Sequence, residues 1–333
     1  MPYQEVNSCR FYINTLEWLA SKGVITLPSE HFRTLPVTPT EFFNITEAYT
    51  LPSGVFDNNC FFAVLGHTRA SDGAGIDLYL HPHGEAGTVY GDTQINVGVA
   101  NASQGSSVPE YNGFSLATLP SVIENFVLLC YGYYGSIILG TYYDMPHSPD
   151  LNLTMSREMD GFRRIRTKGG NDLTDYKYKR SPNWGEAAPW ELYSGDYTLP
   201  LHKLLRNGRR VWDLSWSYLA SKDVMGAPEF LYQRQYTEAI AGTGSSTGSA
   251  LTDLGWDDSD VTDSDSFDSN LLNHNDFFSQ VIHKTNGGQL PFIFQPNKND
   301  PTVLAICKLQ NKFSFQQISP GLYNASLRIK EVW

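Results

Sequence analysis

Positive charge is scarce in this chain. Its 333 residues include 24 Lys and Arg against 35 Asp and Glu, which gives a formal net charge of −11 at pH 7. A general nucleic-acid binder needs a basic surface to displace counterions, so this balance argues against that class. It argues equally against a membrane anchor that relies on anionic lipid headgroups.

Long apolar runs and targeting patterns are also missing. The longest apolar patch, from Phe126 to Leu139, is interrupted by Gly132, Gly135 and Ser136. It falls short of the roughly 18 apolar residues that a membrane-spanning helix needs, and it predicts buried strands. The N-terminus lacks the basic and then apolar order of a secretory signal, so we expect the chain to fold in a cytoplasm.

Cysteine is rare and dispersed. Cys9, Cys60, Cys130 and Cys307 are far apart, no C-x-x-C pair exists, and their neighbours are apolar. This spacing favours buried free thiols over disulfides or a metal centre, and it predicts no cofactor.

Three common enzyme motifs are absent too. The chain has no H-E-x-x-H, P-loop or G-x-G-x-x-G motif. Asp150, Glu158 and Asp160 could in principle form the carboxylate pair of a glycosidase, but nothing in the sequence selects them from the other acids. We therefore expect a protein that is not an enzyme.

Alternation of apolar and polar residues is what the sequence has in abundance. Four strands are predicted between Leu290 and Trp333, and the last of them places alternate apolar residues on one face. The same pattern in Arg209–Leu219 predicts a strand with one aromatic face. That face comprises Trp212, Leu214, Trp216 and Tyr218.

Length and patterning predict an all-β chain with two β-sandwich-type domains. Residues 1–30 form an N-terminal segment with a short helix, residues 31–145 a jelly-roll-like sandwich, and residues 146–333 a second β-rich domain. The helix face is predicted to comprise Phe11, Tyr12, Leu16, Leu19 and Ala20. The boundary lies at Met145–Pro149, where two prolines resist helix and strand alike.

An acidic, flexible loop is predicted at about 241–270. Its Gly- and Ser-rich start precedes seven aspartates, and no Lys or Arg occurs between Gln235 and His283. The loop members singled out are Asp258, Asp260, Asp263 and Asp265. They could chelate calcium, but they lack the pattern of an EF-hand loop, so a solvated loop facing a basic partner is the favoured interpretation.

A basic stretch, Arg157–Arg180, is the counterpart of that loop, with eight Lys and Arg against four Asp and Glu. It could grip nucleic acid, but charge interleaved with aromatic residues also suits a contact between subunits. We favour a pairing of this stretch with the acidic loop of a neighbouring copy. The predicted interface residues on this stretch are Arg157, Arg163, Arg164, Arg166 and Lys168. The last residue, Trp333, is expected at the same interface or inside a sheet.

Histidines give one candidate metal site. His81 and His83, with Glu85 nearby and His67 upstream, could hold zinc. Pro82 between the two histidines makes an exposed turn the favoured alternative, so no bound metal is predicted.

The first predicted domain resembles galactose-binding-like jelly rolls. The resemblance rests on the order FFAVLGHTRA, IDLYL and SIILGTYYDMP within residues 31–145. It implies a sandwich that could bind a host-surface glycan. Tyr79, Tyr90 and Tyr111 are candidate sugar contacts there, and each is equally plausible as packing.

The second half resembles structural proteins from the tail or baseplate of tailed bacteriophages. The resemblance rests on MPHSPDLNLTMSREMDGFRRIRTKGG (145–170), GRRVWDLSWSYLASKDV (208–224), PFIFQPNKNDPTVLAICKL and LYNASLRIKEVW. It implies a β-rich protein similar to distal tail proteins, which form a hexameric ring at the tail tip and contact tube, hub and fibre proteins. It further implies a place in the virion, after assembly in the host cytoplasm. The alternatives are a carbohydrate-binding adhesin and, behind it, a carbohydrate-active enzyme.

Overall fold

The computed structural model describes residues 6–27, 29–35, 42–50, 55–56, 59–65, 77–81, 93–96, 115–119, 125–133, 135–158, 162–176, 208–225, 272, 274–300, 303–319 and 322–332. For β2, β4, β5 and β7 the description covers the backbone alone. The described strands are β1 Arg10–Ile13, β2 Phe42–Thr50, β3 Cys60–Leu65, β4 Asp77–His81, β5 Thr93–Asn96, β6 Ser115–Thr118, β7 Asn125–Tyr133, β8 Ser136–Asp144, β9 Thr154–Glu158, β10 Phe162–Arg166, β11 Asp172–Tyr176, β12 Arg209–Ala220, β13 Phe292–Gln295, β14 Ala305–Leu309, β15 Phe315–Ser319 and β16 Leu322–Glu331. Helical segments are short: α1 Thr15–Ser21, α2 Ser221–Val224, a 3-10 turn Glu30–Phe32 and a π-helical segment Phe278–His283.

These strands form three antiparallel sheets, so the all-β prediction is confirmed. The main sheet has ten strands in the order β6-β3-β8-β1-β13-β14-β16-β12-β9, with β15 paired to β16 beside β14. A second sheet has the order β2-β7-β4-β5, and β10 with β11 forms a separate hairpin. The main sheet carries the open edge and the polar cleft described below.

Both faces of the main sheet are buried at its centre. On the inner face, Phe11 of β1 packs against Phe292 and Phe294 of β13, with ring centroids 5.6 and 5.2 Å apart. The outer face carries a second apolar cluster that includes Tyr12, Ile293 and Ile306. Neighbouring residues of one strand therefore point into two cores, as alternation requires.

The predicted N-terminal helix is shorter than expected. It begins after Asn14, whose side chain accepts a hydrogen bond from the Glu17 N–H at 3.2 Å, and it ends at Lys22 before Gly23. Phe11 and Tyr12, predicted to lie on its face, are in strand β1 instead. The prediction was wrong there because β1 pairs on both sides, with β8 and β13, and this tertiary pairing overrides the local helical spacing.

The C-terminal strands follow the predicted alternation. In β16, Tyr323, Ala325, Leu327 and Ile329 are buried on the inner face, while Arg328 is exposed on the outer face. Strands β13, β14 and β15 match the other three predicted strands, and Trp333 lies outside the described residues. The predicted helical segment near Asn270–Lys284 is the π-helical turn, whose Val281 and Ile282 pack on the inner core.

Strand β12 departs from its predicted pattern at one residue. Trp212, Leu214 and Trp216 are buried on the inner face, but Tyr218 is 70% exposed. The register with β16 shifts between Trp216 and Leu219, which marks a β-bulge, and Tyr218 has a positive φ of 61°. The bulge adds one residue to β12 and turns Tyr218 away from the core, so the prediction for Tyr218 was wrong.

One sheet crosses the domain boundary predicted near residue 145. Strands β3, β6 and β8 precede the boundary, yet they share the main sheet with β12, β14 and β16, which follow it. Strand β1, from the N-terminal segment, joins the two groups by pairing with both β8 and β13. The described strands on the two sides therefore do not form separate sheets, and the division into two domains stays a prediction.

Three of the four cysteines are buried free thiols, as predicted: Cys9, Cys60 and Cys307. Burial raises the pKa of Cys9 and Cys307 well above that of an ordinary thiol, so both stay protonated at neutral pH. Near Cys307 lies a buried ion pair, in which Arg210 donates to Glu331 from its Nη2 at 3.0 Å and to the Leu304 carbonyl at 2.8 Å. A buried pair with satisfied hydrogen bonds ties β12 to β16 at the end of the core.

Candidate assembly surface

Strand β9 is an open edge of the main sheet. It pairs with β12 on one side, through Arg209↔Glu158 to Asp213↔Thr154, and no other described strand pairs with it. Every residue of β9 from Thr154 to Arg157 is exposed. No described strand pairs with its second row of N–H and C=O groups, and an unpaired edge of this kind in a solitary protein invites edge-to-edge association.

The apolar inner face continues onto this edge with exposed side chains. Met155 stands opposite the buried Trp212 in the register, yet it is 56% exposed. Leu151 and Leu153, which precede β9 at the same alternate spacing, are 84% and 38% exposed. The alternation that predicted a strand here is thus real, but its apolar side chains lie on the surface.

Directly after β9 the chain forms the hairpin β10–β11, which we call the arm (residues 162–176). Its register runs from Phe162↔Tyr176 to Arg166↔Asp172. The turn is closed by Thr167, whose N–H donates to the Asn171 carbonyl at 2.8 Å, and by Gly170 with a φ of +86°. A two-stranded hairpin on its own is marginally stable in water, so the arm is a segment that a partner would stabilise.

The arm combines an apolar pair with basic residues. Ile165 and Leu173 are cross-strand partners and are 45% and 58% exposed. Between Arg163 and Asp175 every residue of the arm except Thr167 is exposed on the structure's surface. The arm contains four Lys and Arg against two Asp, a net charge of +2. Its surface therefore offers both apolar area and positive charge to a neighbour.

All five predicted basic interface residues are exposed. Arg157 lies on β9, Arg163, Arg164 and Arg166 lie on β10, and Lys168 lies at the turn. Of these, Arg164 forms an ion pair with Asp172 across the hairpin. Their predicted acidic partners, Asp258, Asp260, Asp263 and Asp265, lie outside the described residues, as does Trp333. Their pairing stays a prediction.

Glu158, one of the glycosidase candidates, is held in an ion network on the outer face. It accepts from Lys330 Nζ at 2.5 Å and from Arg328 Nη2 at 3.0 Å. The hydrogen bond from Lys330 lowers the pKa of Glu158, although partial burial opposes this shift. A general acid needs a raised pKa, so this environment favours a structural carboxylate. Asp160 lies outside the described residues.

Asp150, the other candidate, is part of a polar cleft that the sequence did not predict. The cleft has a volume of about 370 Å³ and lies on the outer face, where β12, β15 and β16 meet the loop before β9. Its polar lining includes Asp150, Ser215, Ser217, Gln316, Asn324 and Ser326. These residues come from three distant parts of the chain, and only the strand register brings them together.

Neither metal candidate can be placed at a site. His81 ends β4, where the backbone alone is described, and His83 lies outside the described residues. Among the residues that the structure describes, no group of three His, Cys, Asp or Glu side chains could hold a metal ion. Likewise, no helix in the described ranges is long and apolar enough to cross a membrane.

Comparisons with known proteins give no match: no protein-family model, no curated protein and no solved structure is significantly similar to this chain.

Proposed function

We propose that this chain is a structural protein of the tail of a tailed bacteriophage, and that it forms a homo-oligomeric ring of the distal tail or baseplate-hub type. The proposal starts from the resemblance of residues 145–170, 208–224 and 291–333 to that family. Two of these stretches contain β9 with most of the arm, and β12. Other tail proteins of the tube, hub and fibres would then be its partners, and the virion its location.

One observation carries the proposal: an open edge strand, an exposed apolar row and a basic arm adjoin one another along residues 151–176. In a monomer each of these features is a liability, because unpaired edges and uncovered apolar area promote aggregation. In a closed assembly the neighbouring copy covers them. The combination therefore supports a chain whose native state is an assembly.

The difference between the two edges of the main sheet supports a ring in particular. Its two end strands are different: β6 pairs with β3 alone and β9 with β12 alone among the described strands. When one surface of a subunit contacts a different surface of the next, the association is head-to-tail, and it closes into a ring when the rotation allows. Two unlike sheet edges provide such a pair of surfaces.

A role without catalysis fits the described carboxylates. Glu158 is tied to Lys330 and Arg328, and Asp150 accepts hydrogen bonds from Ser215 and Ser217. The partners of Glu158 favour its ionised form, which suits structure more than acid catalysis.

The rival function is a carbohydrate-binding adhesin. Of its sugar-contact candidates, Tyr79 lies in β4 with the backbone alone described, while Tyr90 and Tyr111 lie outside the described residues. The polar cleft is the one described feature that favours this function, and it lies on the opposite part of the main sheet from the predicted jelly roll.

The native mass of the full-length protein tests the ring. We expect a discrete oligomer, hexameric or a multiple of three, by light scattering across a range of protein and salt concentrations. Negative-stain electron microscopy of the same sample should then show annular particles. A strict monomer under every condition would contradict the proposed ring.

A charge-reversal variant tests the arm. The triple change Arg163→Glu, Arg164→Glu and Arg166→Glu should dissociate the oligomer, because like charges across an interface cost several kcal/mol. The matched control reverses three exposed lysines away from the arm: Lys22→Glu, Lys222→Glu and Lys312→Glu. It makes the same change in net charge and should leave the native mass unchanged. Equal behaviour of the two variants would remove the arm from the interface.

A further inference from the structure

The polar cleft lies at an irregularity of the sheet. In β12, Ser217 and Tyr218 together occupy the space opposite Asn324, because the bulge inserts one residue between the pairs Trp216↔Ala325 and Leu219↔Tyr323. Next to it, Gln316 of β15 pairs with Asn324 from the other side. Bulges often change the direction of side chains next to binding sites. A non-glycine residue at positive φ has a strained backbone, and such strain is found mostly at functional sites.

The hydrogen bonds at the cleft leave acceptors unused. The hydroxyls of Ser215 and Ser217 each donate to Asp150 Oδ2 at 2.9 Å, so their own lone pairs stay available. Asp150 Oδ1 accepts from the Ser217 N–H at 3.2 Å and has a second lone pair. Asn324 Oδ1 is buried and accepts no hydrogen bond from the described part of the chain. A ligand that suits this lining is rich in hydrogen-bond donors.

The charge of the lining narrows the ligand class. Among the described lining residues Asp150 is the single charged one and none is Lys or Arg, so these residues offer an anionic ligand no counter-charge. Asp150 already accepts three hydrogen bonds from Ser215 and Ser217, and these compensate its negative charge in part. Ser326 and Gln316 add exposed groups that both donate and accept. Such a mixed supply of donors and acceptors matches neutral hydroxyl groups.

Tyr218 is an exposed aromatic residue next to the lining in the chain. Its ring is 70% exposed, and the residue directly follows Ser217 of the lining. An exposed aromatic ring that carries a polar tip suits a ligand with one apolar face and several hydroxyls.

We propose that this cleft binds a saccharide, whose hydroxyls form hydrogen bonds with Asp150 and Gln316 while one face of the sugar ring packs on Tyr218. The proposal goes beyond the ring and does not depend on it, since the cleft lies on the outer face of a single chain. It concerns a different part of the molecule from the glycan site expected in the predicted jelly roll.

Titration of the full-length protein with methyl glycosides of glucose, galactose, mannose and N-acetylglucosamine tests the proposal, with calorimetry or saturation-transfer NMR as the readout. We expect at least one of them to bind with a Kd of about 1 mM, the weak range for a small open site. Methylammonium serves as a cationic probe of the same acceptors.

Two neighbouring glutamines give a matched pair of variants. Gln316 lines the cleft, whereas Gln317, which is equally exposed on the same strand, does not. Gln316→Ala should weaken saccharide binding about 5- to 10-fold, as expected for one lost hydrogen bond, and Gln317→Ala should leave it unchanged. Tyr218→Ala should weaken it by a similar factor. The native mass of each variant separates a binding defect from an assembly defect.

Three outcomes would overturn the saccharide site. The first is that no glycoside of the panel binds at 10-fold above the expected Kd of about 1 mM. The second is that methylammonium binds and the glycosides do not, which would assign the cleft to cations. The third is that Gln316→Ala and Gln317→Ala bind a glycoside equally well, which would place the sugar elsewhere on the chain.

Discussion

Strands β16 and β9 have the same alternation of apolar residues in the sequence, but they differ in the burial of those residues in the structure. In β16 the alternate residues Tyr323, Leu327 and Ile329 are buried, whereas the alternate residues Leu151, Leu153 and Met155 around β9 are exposed. The number of neighbours explains the difference. Strand β16 has β12 on one side and β14 with β15 on the other, while β9 has β12 alone among the described strands.

The comparison shows what alternation does and does not encode. A period of two specifies that one face of a strand is apolar, but the cover for that face has to come from another element. At β16 the chain supplies it, with Phe277, Val281 and Ile282 of the π-helical region on the same core. At β9 no described element does so. An apolar face that none of the described elements covers is a reason to look for a second copy.

The largest expected effect comes from removing one apolar side chain from the centre of the sheet and comparing it with the same change at the β9 edge. Phe294→Ala, in the centre of the sheet, should lower the free energy of unfolding by about 3–5 kcal/mol, because it leaves a cavity beside Phe11 and Trp212. Met155→Ala, at the edge, should change it by less than about 0.5 kcal/mol. Urea unfolding gives both values, with the midpoint shift read at constant slope.

Both variants are best made in the Arg163→Glu, Arg164→Glu, Arg166→Glu background, so that assembly does not contribute to the measured stability. In the unaltered background Met155→Ala should then weaken the oligomer. If Met155→Ala destabilises the monomer as much as Phe294→Ala does, the β9 face is covered within one chain, and the contrast between the two strands fails.

A smaller difference in the free energy of unfolding is expected between a buried ion pair and an exposed ion network, both of which involve residues of β16. Glu331→Gln leaves Arg210 buried without its counter-charge and should cost about 3 kcal/mol. Glu158→Gln, in the exposed network with Lys330 and Arg328, should cost less than about 1 kcal/mol. Thermal or urea unfolding of the two variants gives the comparison, and a reversed order would contradict the assigned burial.

The pH dependence of the Glu158 contribution follows from its pKa. The partners of Glu158 lower its pKa in the folded state below the ordinary value of 4.5. Its contribution is therefore fully present above that value and is lost as the pH falls through the lowered folded pKa. The stability difference between wild type and Glu158→Gln should vanish under strongly acidic conditions.

Residue patterns predicted the strands well and their partners poorly. Phe292–Gln295, Ala305–Leu309 and Leu322–Glu331 were all expected as strands because alternation and turn residues are local signals. Strand β1 was missed because its apolar spacing also fits a helix, and only pairing with β8 and β13 decides between the two.

Of the two candidate sites, the basic stretch could be predicted from the sequence and the polar cleft could not. The basic stretch was visible in the sequence as a charge run, and its Lys and Arg residues from Arg157 to Lys168 are exposed in the structure. The cleft was invisible, since Asp150, Ser217 and Asn324 are separated by long stretches of chain and show no motif spacing. It depends on a bulge, which is one extra residue in a register that sequence patterns do not reveal.

The smallest predicted effect concerns that bulge. At most exposed strand positions alanine is more stable than glycine by about 0.5–1 kcal/mol, because glycine loses more backbone entropy on folding. Tyr218 has a φ of 61°, a conformation that costs a residue with a Cβ atom about 1–2 kcal/mol. Tyr218→Gly should therefore be more stable than Tyr218→Ala by about 1 kcal/mol, the reverse of the usual order.

The control for this inversion is Gln317, an exposed residue of β15 whose φ is not in the left-handed region. There the alanine variant should be the more stable of the two, so the pair of positions gives opposite signs in one unfolding assay. If alanine is preferred at both positions, the bulge carries no strain. If the inversion holds and both Tyr218 variants also lose saccharide binding, the tyrosine ring is needed for binding whether or not the backbone is strained, because both variants lack the ring and only Tyr218→Ala keeps the strain.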